Sequence, residues 1–171
     1  MDKKIIVLDQ RSVDASDLLS DRKKYRERVA ARAVLKDDEG RIALMHASKR
    51  QYYKLPGGGI DEGEDALAAL ARELLEETGY SARVVAELGT VEEWRDEDKL
   101  HQISYAYEAI KVGESASQNL TGGEIDEGFE LIWAHNIDEA IELVEKAVDD
   151  PDVRVSFMTK RDAAILRSTI I

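Results

Sequence analysis

Between Leu55 and Gly79 the chain runs through a proline, three consecutive glycines and then a segment whose apolar residues return every three or four positions. Glycine has no Cβ, so residues 57–59 permit a tight bend or a close approach to a ligand that bulkier residues would block. Leu67, Leu70, Ala71, Leu74 and Thr78 then recur at helical spacing, and Gly79 is placed to stop the helix as a C-terminal cap. At about 100° per residue, Glu73, Glu76 and Glu77 fall within an arc of roughly 100°, with Leu67, Leu70, Ala71 and Leu74 on the opposing arc. One face is therefore expected to pack and the other to coordinate. Ala66 and Ala69 fall on the carboxylate side, where small side chains let the glycine loop or a substrate lie close. Three carboxylates held so near one another repel, and a hard divalent cation with oxygen ligands relieves that repulsion.

The segments on either side read mostly as strands. Val29, Ala31, Ala33 and Leu35 alternate up to the turn at residues 37–40, and residues 41–47 return, which predicts a hairpin. A short strand over residues 52–55 leads into the glycines. Residues 82–91 and 101–110 form a second predicted hairpin around the charged turn at 95–98, and residues 113–128 are polar enough to predict a long mobile loop. A strand over 130–134, a helix capped by Asn136 and a last helix over 157–168 complete the order. Strands, helix, strands, helix suits an α+β domain in which a mixed sheet is sandwiched between helices. Residues 1–25, with a short apolar strand at 5–8, are read as an accessory segment, and residues 26–171 as the domain proper.

The 171 residues suffice for one domain with a real core. No segment approaches the roughly 20 apolar residues of a membrane span, and the apolar run at residues 5–8 is too short for a signal peptide, so a cytoplasmic protein with no membrane partner is expected. The absence of cysteine excludes thiolate metal sites, and His46, His101 and His135 lack metal-ligand spacing. A net charge of −12 disfavours capture of duplex nucleic acid, so a phosphate-bearing substrate requires a mediating cation.

Gly58, Glu64, Arg72, Glu73, Leu74, Glu76, Glu77 and Gly79 stand at the spacing G-x5-E-x7-R-E-U-x-E-E-x-G-U, where U is a bulky aliphatic residue. This pattern resembles the Nudix box, with one departure, Tyr80 at the final U position. The flanking strands and helices extend the resemblance over roughly residues 26–148. It implies a Nudix fold of the MutT-like kind and metal-dependent hydrolysis of a phosphoanhydride in a nucleoside diphosphate linked to another moiety. That substrate would be a nucleoside triphosphate, oxidised forms included, or a nucleotide sugar. The alternative is a Nudix-like module that senses a nucleotide without cleaving it, which intact Glu73, Glu76 and Glu77 argue against. An isomerase on this scaffold would need a cysteine.

Carried over position by position, the resemblance makes Glu73, Glu76 and Glu77 the metal ligands, completed by the main-chain carbonyl of Gly57. The ion would be Mg²⁺, with Mn²⁺ able to take its place. Arg72 would orient a carboxylate, and Glu64 would support it. Candidates for the general base are Glu76, Glu77, Glu92, Glu93, Glu124 and Glu127. Glu76 or Glu77 is favoured inside the box, and Glu127 outside it, because a mobile loop could close over the substrate. For the substrate, Trp94 is the candidate for stacking on a base, Arg32, Lys54 and Arg95 for binding phosphate, and Gly58 for close approach. The partner is thus a small nucleotide, and the family resemblance adds a homodimer onto which residues 1–24 could swap.

Overall fold

The apolar residues of the strand at 26–36 face two ways: Ala31, Ala33 and Leu35 enter one cluster, and Val34 enters another. A strand that is buried on both faces must lie at the middle of a three-layer structure. The computed structural model, which describes residues 3–10 and 22–169, places it there. The chain order is β1 (Lys4–Asp9), β2 (Arg26–Lys36), β3 (Ile42–Ala47), β4 (Tyr52–Lys54), α1 (Ala66–Thr78), β5 (Ser81–Arg95), β6 (Leu100–Val112), α2 (Gly122–Glu127), β7 (Phe129–Ala134), α3 (Ile137–Glu145) and α4 (Val153–Arg167). The seven strands form one mixed sheet in the order β1-β5-β6-β2-β3-β4, with β7 paired to β3. Helix α1 packs on one face through Leu70 and Leu74, while α3 and α4 cover the other through Ala140, Val144, Phe157, Ile165 and Leu166. The α+β sandwich expected from the element order is the one observed. No described helix is long and apolar enough to cross a membrane.

The first predicted hairpin is only partly one. Strands β2 and β3 meet at a single register pair, Lys36 with Ile42. Beyond it they part: β2 runs parallel to β6 over its whole length, from Arg26 beside Leu100 to Lys36 beside Ile110, whereas β3 pairs with β4 and β7. Alternation states which face a residue occupies but not which strand lies beside it. The second hairpin forms as expected and is longer, with β5 and β6 antiparallel from Ser81 opposite Val112 to Arg95 opposite Leu100. The accessory strand adds to the sheet as a parallel edge beside β5, and Leu8 joins the core. The polar part of that segment, residues 11–21, lies outside the described residues.

Helix α1 begins at Asp65, whose carboxylate accepts from the amides of Leu67 and Ala68 at 3.0 and 2.8 Å, and ends at Gly79, whose φ of 75° is open to glycine. Its buried face differs from the one the apolar spacing suggested. Ala69, Leu70, Leu74, Glu77 and Thr78 are buried, and Leu67 and Leu75 are exposed. Glu77 therefore lies on the inward stripe and not opposite it, and Glu73 is half-buried against Gly58. The Gly57 amide of the glycine loop donates to Glu77 in that position.

Two further expectations change. Residues 113–128 are not a structureless loop: Thr121 and Glu124 form a capping box that starts α2. The stretch before it is tied to the end of α1, with the Ala116 amide bonded to the Gly79 carbonyl at 2.7 Å, the Asn119 amide to the Glu76 carbonyl at 2.8 Å, and the Gln118 side chain to the Glu77 carbonyl. These bonds satisfy carbonyls that a helix end leaves open. The last helix also starts four residues earlier than predicted, at Val153, capped by Asp152.

Candidate active site

The glycine loop is pressed between β2 and α1. On the strand side, the Ala31 amide donates to the Gly58 carbonyl at 2.9 Å and the Ala33 amide to the Pro56 carbonyl at 3.1 Å. Gly57 holds φ at 127°, and a Cβ there would run into the Ala31 carbonyl. On the helix side, a Cβ on Gly58 would fall inside the Glu73 carboxylate. The run of glycines is thus a matter of clearance on both sides, and it brings main chain directly against the carboxylates.

Arg72 gathers that acidic wall. Its guanidinium donates to Glu64 at 3.1 and 2.9 Å, to Glu73 at 2.9 Å, to Glu76 at 3.3 Å and to the Gly59 carbonyl at 3.1 Å. Five N–H donors in a rigid fork suit such a task, which a lysine ammonium could not perform. The hydrogen bond from Arg72, with that from the Asp61 amide, holds the Glu64 carboxyl below its usual range.

Glu77 sits deeper, 2% exposed, and both of its oxygens are engaged. One accepts from the Gly57 amide and the other from the Lys54 ammonium, each at 2.6 Å. Burial pushes its carboxyl up, and Lys54, the Gly57 amide and Arg32 only partly offset this. Glu124 approaches the same ammonium at 3.7 Å. Burial would raise Glu124 too, but its bonds from the Thr121 amide and hydroxyl, with Lys54, outweigh that and hold it low. A single positive charge therefore lies between two carboxylates from α1 and α2.

Glu73, Glu76, Glu77 and Glu124 offer only oxygen donors, the chemistry a hard divalent ion requires. The ammonium between Glu77 and Glu124 shows that this spot already draws a cation. Among the described residues, no three acidic or histidine side chains converge closely enough to hold an ion as they stand. Arg72 and Lys54 occupy the oxygens instead, so the donor set fits a metal by chemistry and would need these cations to give way.

The remaining candidates fall in three places. Arg32, Lys54 and Arg95 line one cavity of about 310 Å³ between the sheet and the start of α4, together with Glu127. Lys54 thus belongs to the cavity and to the carboxylate wall at once. Glu127 does not reach Glu77. It accepts from the Tyr52 hydroxyl at 2.5 Å and stands 4.0 Å from Arg50, so the structure brings Glu124, not Glu127, to the box. Trp94 is on the other side of β5 from Arg95, stacked on His101 with ring centroids 3.8 Å apart and with the Arg22 guanidinium 5.3 Å from its ring. It lines a different cavity, with Arg22, Tyr25, Glu27 and His101, because neighbouring residues on a strand face opposite ways. Of the other carboxylates, Glu92 pairs with Lys4 and His101 at 2.6 and 2.9 Å. Glu93 is fully buried, accepting from Arg95 at 2.7 Å and Gln102 at 2.6 Å, so neither faces the box.

Arg28, Arg50, Arg154, Arg161 and Asp162 were not singled out from the sequence. Arg161 is 2% exposed, and its Nε donates to Asp162 at 2.7 Å, while Asp162 accepts from the Leu55 amide at 2.9 Å. An Arg-Asp pair in a helix otherwise rich in apolar residues was the available signal. Glu124 also carried one, since Thr121 stands three residues before it at capping-box spacing.

With this geometry in view, a family model for the NUDIX domain matches residues 26–153. An RNA pyrophosphohydrolase from Dinoroseobacter shibae is 40% identical over 63 residues, covering 36% of this chain and 39% of the relative. A CMP-5'-(N-acetyl-N-hydroxy-3-aminopropyl)phosphonate hydrolase from Streptomyces rubellomurinus is 36% identical over 120 residues, covering 67% of this chain and 54% of the relative. The chain spans about half the length of the curated relatives it matches. Among solved structures, a NUDIX hydrolase from Nitrosomonas europaea superposes with a TM-score of 0.58 at 21% identity, covering 79% of this chain and 88% of that one, a likeness of fold.

Proposed function

The chain belongs to the Nudix family, and from that premise we propose that it is a metal-dependent pyrophosphohydrolase acting on a nucleoside diphosphate linked to another moiety, either a nucleoside triphosphate or a nucleotide sugar. The observation that carries the reading is the joint between loop and helix: Glu77 bonded to the Gly57 amide, and Arg72 holding Glu64, Glu73 and Glu76 in one wall. The similarity to an RNA pyrophosphohydrolase and to a CMP-phosphonate hydrolase supports it.

In this reading Glu73, Glu76, Glu77 and the Gly57 carbonyl would hold Mg²⁺ or Mn²⁺, with Glu124 as a further oxygen donor from α2. The ion supplies charge neutralisation at the diphosphate and a lowered pKa for water. The protein's own residues do the rest. Arg72 keeps the carboxylates at fixed separations, and supporting bonds of this kind are what a catalytic metal site depends on. Glu76 accepts the proton of the attacking water, since its side chain is 34% exposed and touches Arg72 only at 3.3 Å, whereas both Glu77 oxygens are taken. The water oxygen forms a new bond to phosphorus, and the bridging P–O bond breaks. The bridging oxygen leaves with the electron pair on the departing phosphate, and the proton passes through Glu76 to solvent. The cytoplasm, a small nucleotide partner, a homodimer and a catalytic domain over residues 26–171 belong to the same reading.

Turnover of a nucleotide panel with Mg²⁺ or Mn²⁺, comparing the wild type with Glu76→Gln, tests it. The wild type should hydrolyse at least one member and stop on addition of a chelator, and the variant should lose about 10²–10⁴-fold in kcat, the range for loss of a general base. Equal rates in the two proteins refute the assignment.

A further inference from the structure

The cavity that Lys54 shares with the box is cationic out of proportion to its chain. Seven of its twelve lining residues are arginine or lysine and two are acidic, in a protein of net charge −12. Three of those arginines each bury a nitrogen that meets no acceptor among the described residues: Nε of Arg32, Nε of Arg95 and Nη2 of Arg161. Arg32 and Arg161 are 5% and 2% exposed. Buried donors are almost always bonded, so a cluster left open along one cavity marks a place built for an acceptor from outside the chain.

The charges point the same way. Arg95 and Arg161 share Glu93, at 2.7 and 3.7 Å, and Arg161 also has Asp162. Arg28 and Arg32 bond instead to neutral oxygens, Gln102 Oε1 at 2.7 Å and the Ala31 carbonyl at 3.3 Å. Burial foremost, then the nearby Arg161, pull Arg32 down to about 10, which leaves it charged at neutral pH and repelled by its neighbour. An anion placed here relieves that repulsion. A phosphomonoester carries about −1.5 to −2 at pH 7 and three acceptor oxygens, against one charge for a carboxylate and none for a sugar hydroxyl. Guanidinium forks arriving from β2, β5 and α4 converge on such a group from several directions.

Resting on the reading of the box as a pyrophosphohydrolase site, we propose that this cavity receives the terminal phosphoryl group of the substrate. The preferred class is then a nucleoside polyphosphate, whose chain ends in a free phosphoryl group with the same three acceptor oxygens, ahead of a nucleotide sugar ending in a neutral ring. Lys54 joins the two parts, lining the cavity while its ammonium touches Glu77. The far wall, with Arg154 and Arg161, comes from α4, whose residues after Val153 lie beyond the matched residues 26–153, while Arg28, Arg32, Arg50, Lys54 and Arg95 lie within them.

Two measurements test this. First, inorganic phosphate is titrated calorimetrically into the metal-free protein in chelator, with chloride at equal ionic strength as reference, for wild type, Arg28→Gln, Arg95→Gln and Glu76→Gln. Wild type and Glu76→Gln should bind alike, the two arginine variants should bind about tenfold more weakly or worse, and a non-hydrolysable nucleoside triphosphate should displace the phosphate. Second, the ratio of kcat/KM for a nucleoside triphosphate over that for a nucleoside diphosphate sugar should fall about tenfold in Arg28→Gln. If circular dichroism shows Arg95→Gln unfolded, the more exposed Arg154→Gln takes its place. No phosphate binding by the wild type, undiminished binding by Arg28→Gln, phosphate that stays bound beside the nucleotide, or an unchanged ratio each overturns the proposal. Unaltered turnover in Glu76→Gln would instead remove the catalytic reading and leave the titration data standing.

Discussion

At Gly57 the backbone takes a φ of 127° while its missing Cβ makes room for the Ala31 carbonyl, whereas Gly63, at 82°, has nothing within 4 Å of where a Cβ would stand. The two positions separate backbone strain from collision. Gly63→Ala is expected to cost about 1–2 kcal/mol, the penalty of a left-handed conformation, and Gly57→Ala at least about 1 kcal/mol more, because the obstructing atom is main chain and cannot step aside. Urea unfolding of the two variants checks this, and equal losses would mean that the loop is free to move off β2. The sequence showed that residues 57–59 need glycine but not what each glycine makes room for. That depended on Glu73 lying against Gly58 and on Glu77 facing inward, a direction helical periodicity assigned to Leu67, which is exposed. A loop that supplies amides can draw a carboxylate into the interior, and apolar spacing carries no record of it.

Among elements, the β2–β3 turn rests on Asp37, whose carboxylate accepts from the amides of Glu39 and Arg41 at 3.0 and 2.9 Å and from Arg41 Nε at 2.7 Å. Burial would raise this carboxyl, but the Arg41 guanidinium and the two amides outweigh it and hold the group below its ordinary value. A carboxyl depressed in the folded state lends stability above its unfolded pKa, about 3.9, and loses it as pH falls through the folded value. Asp37→Asn should therefore lower the melting temperature at pH 7, with the difference from wild type shrinking below pH 4. A difference that stays constant down to pH 2 would assign the effect to shape alone. Helix α1 with its Gly79 stop, α3 with its Asn136 cap and the β5–β6 hairpin were legible in the sequence because each signal lies within one element. The β2–β6 pairing and α2 were not: the first joins strands more than sixty residues apart, and the second is only six residues long in a glycine-containing polar stretch.

On the scale of the molecule, the sheet separates α1 from α4, and the cationic cavity draws its walls from β2, β4, β5 and α4. No stretch of sequence contains that cavity: Arg32, Lys54 and Arg95 were named from the sequence as phosphate candidates and meet there, whereas Arg28, Arg50, Arg154 and Arg161 join them only through the fold. Phe157 pins α4 to the sheet: it is fully buried in the cluster with Leu44, Leu55 and Val91, and Arg95 lies 5.6 Å from its ring. Phe157→Ala is expected to cost about 3–5 kcal/mol by chemical denaturation, the usual loss for an aromatic removed from a core. A loss under about 1 kcal/mol would show that α4 is not held by that contact.

Because α4 lies across the sheet from the acidic helix, one wall of the proposed phosphate cavity, Arg154, Met158 and Arg161, stands apart from the carboxylates. If the proposal holds, a library confined to Arg154, Met158 and Arg161 would alter which anions are admitted while Arg72 and the glutamates it gathers keep their places.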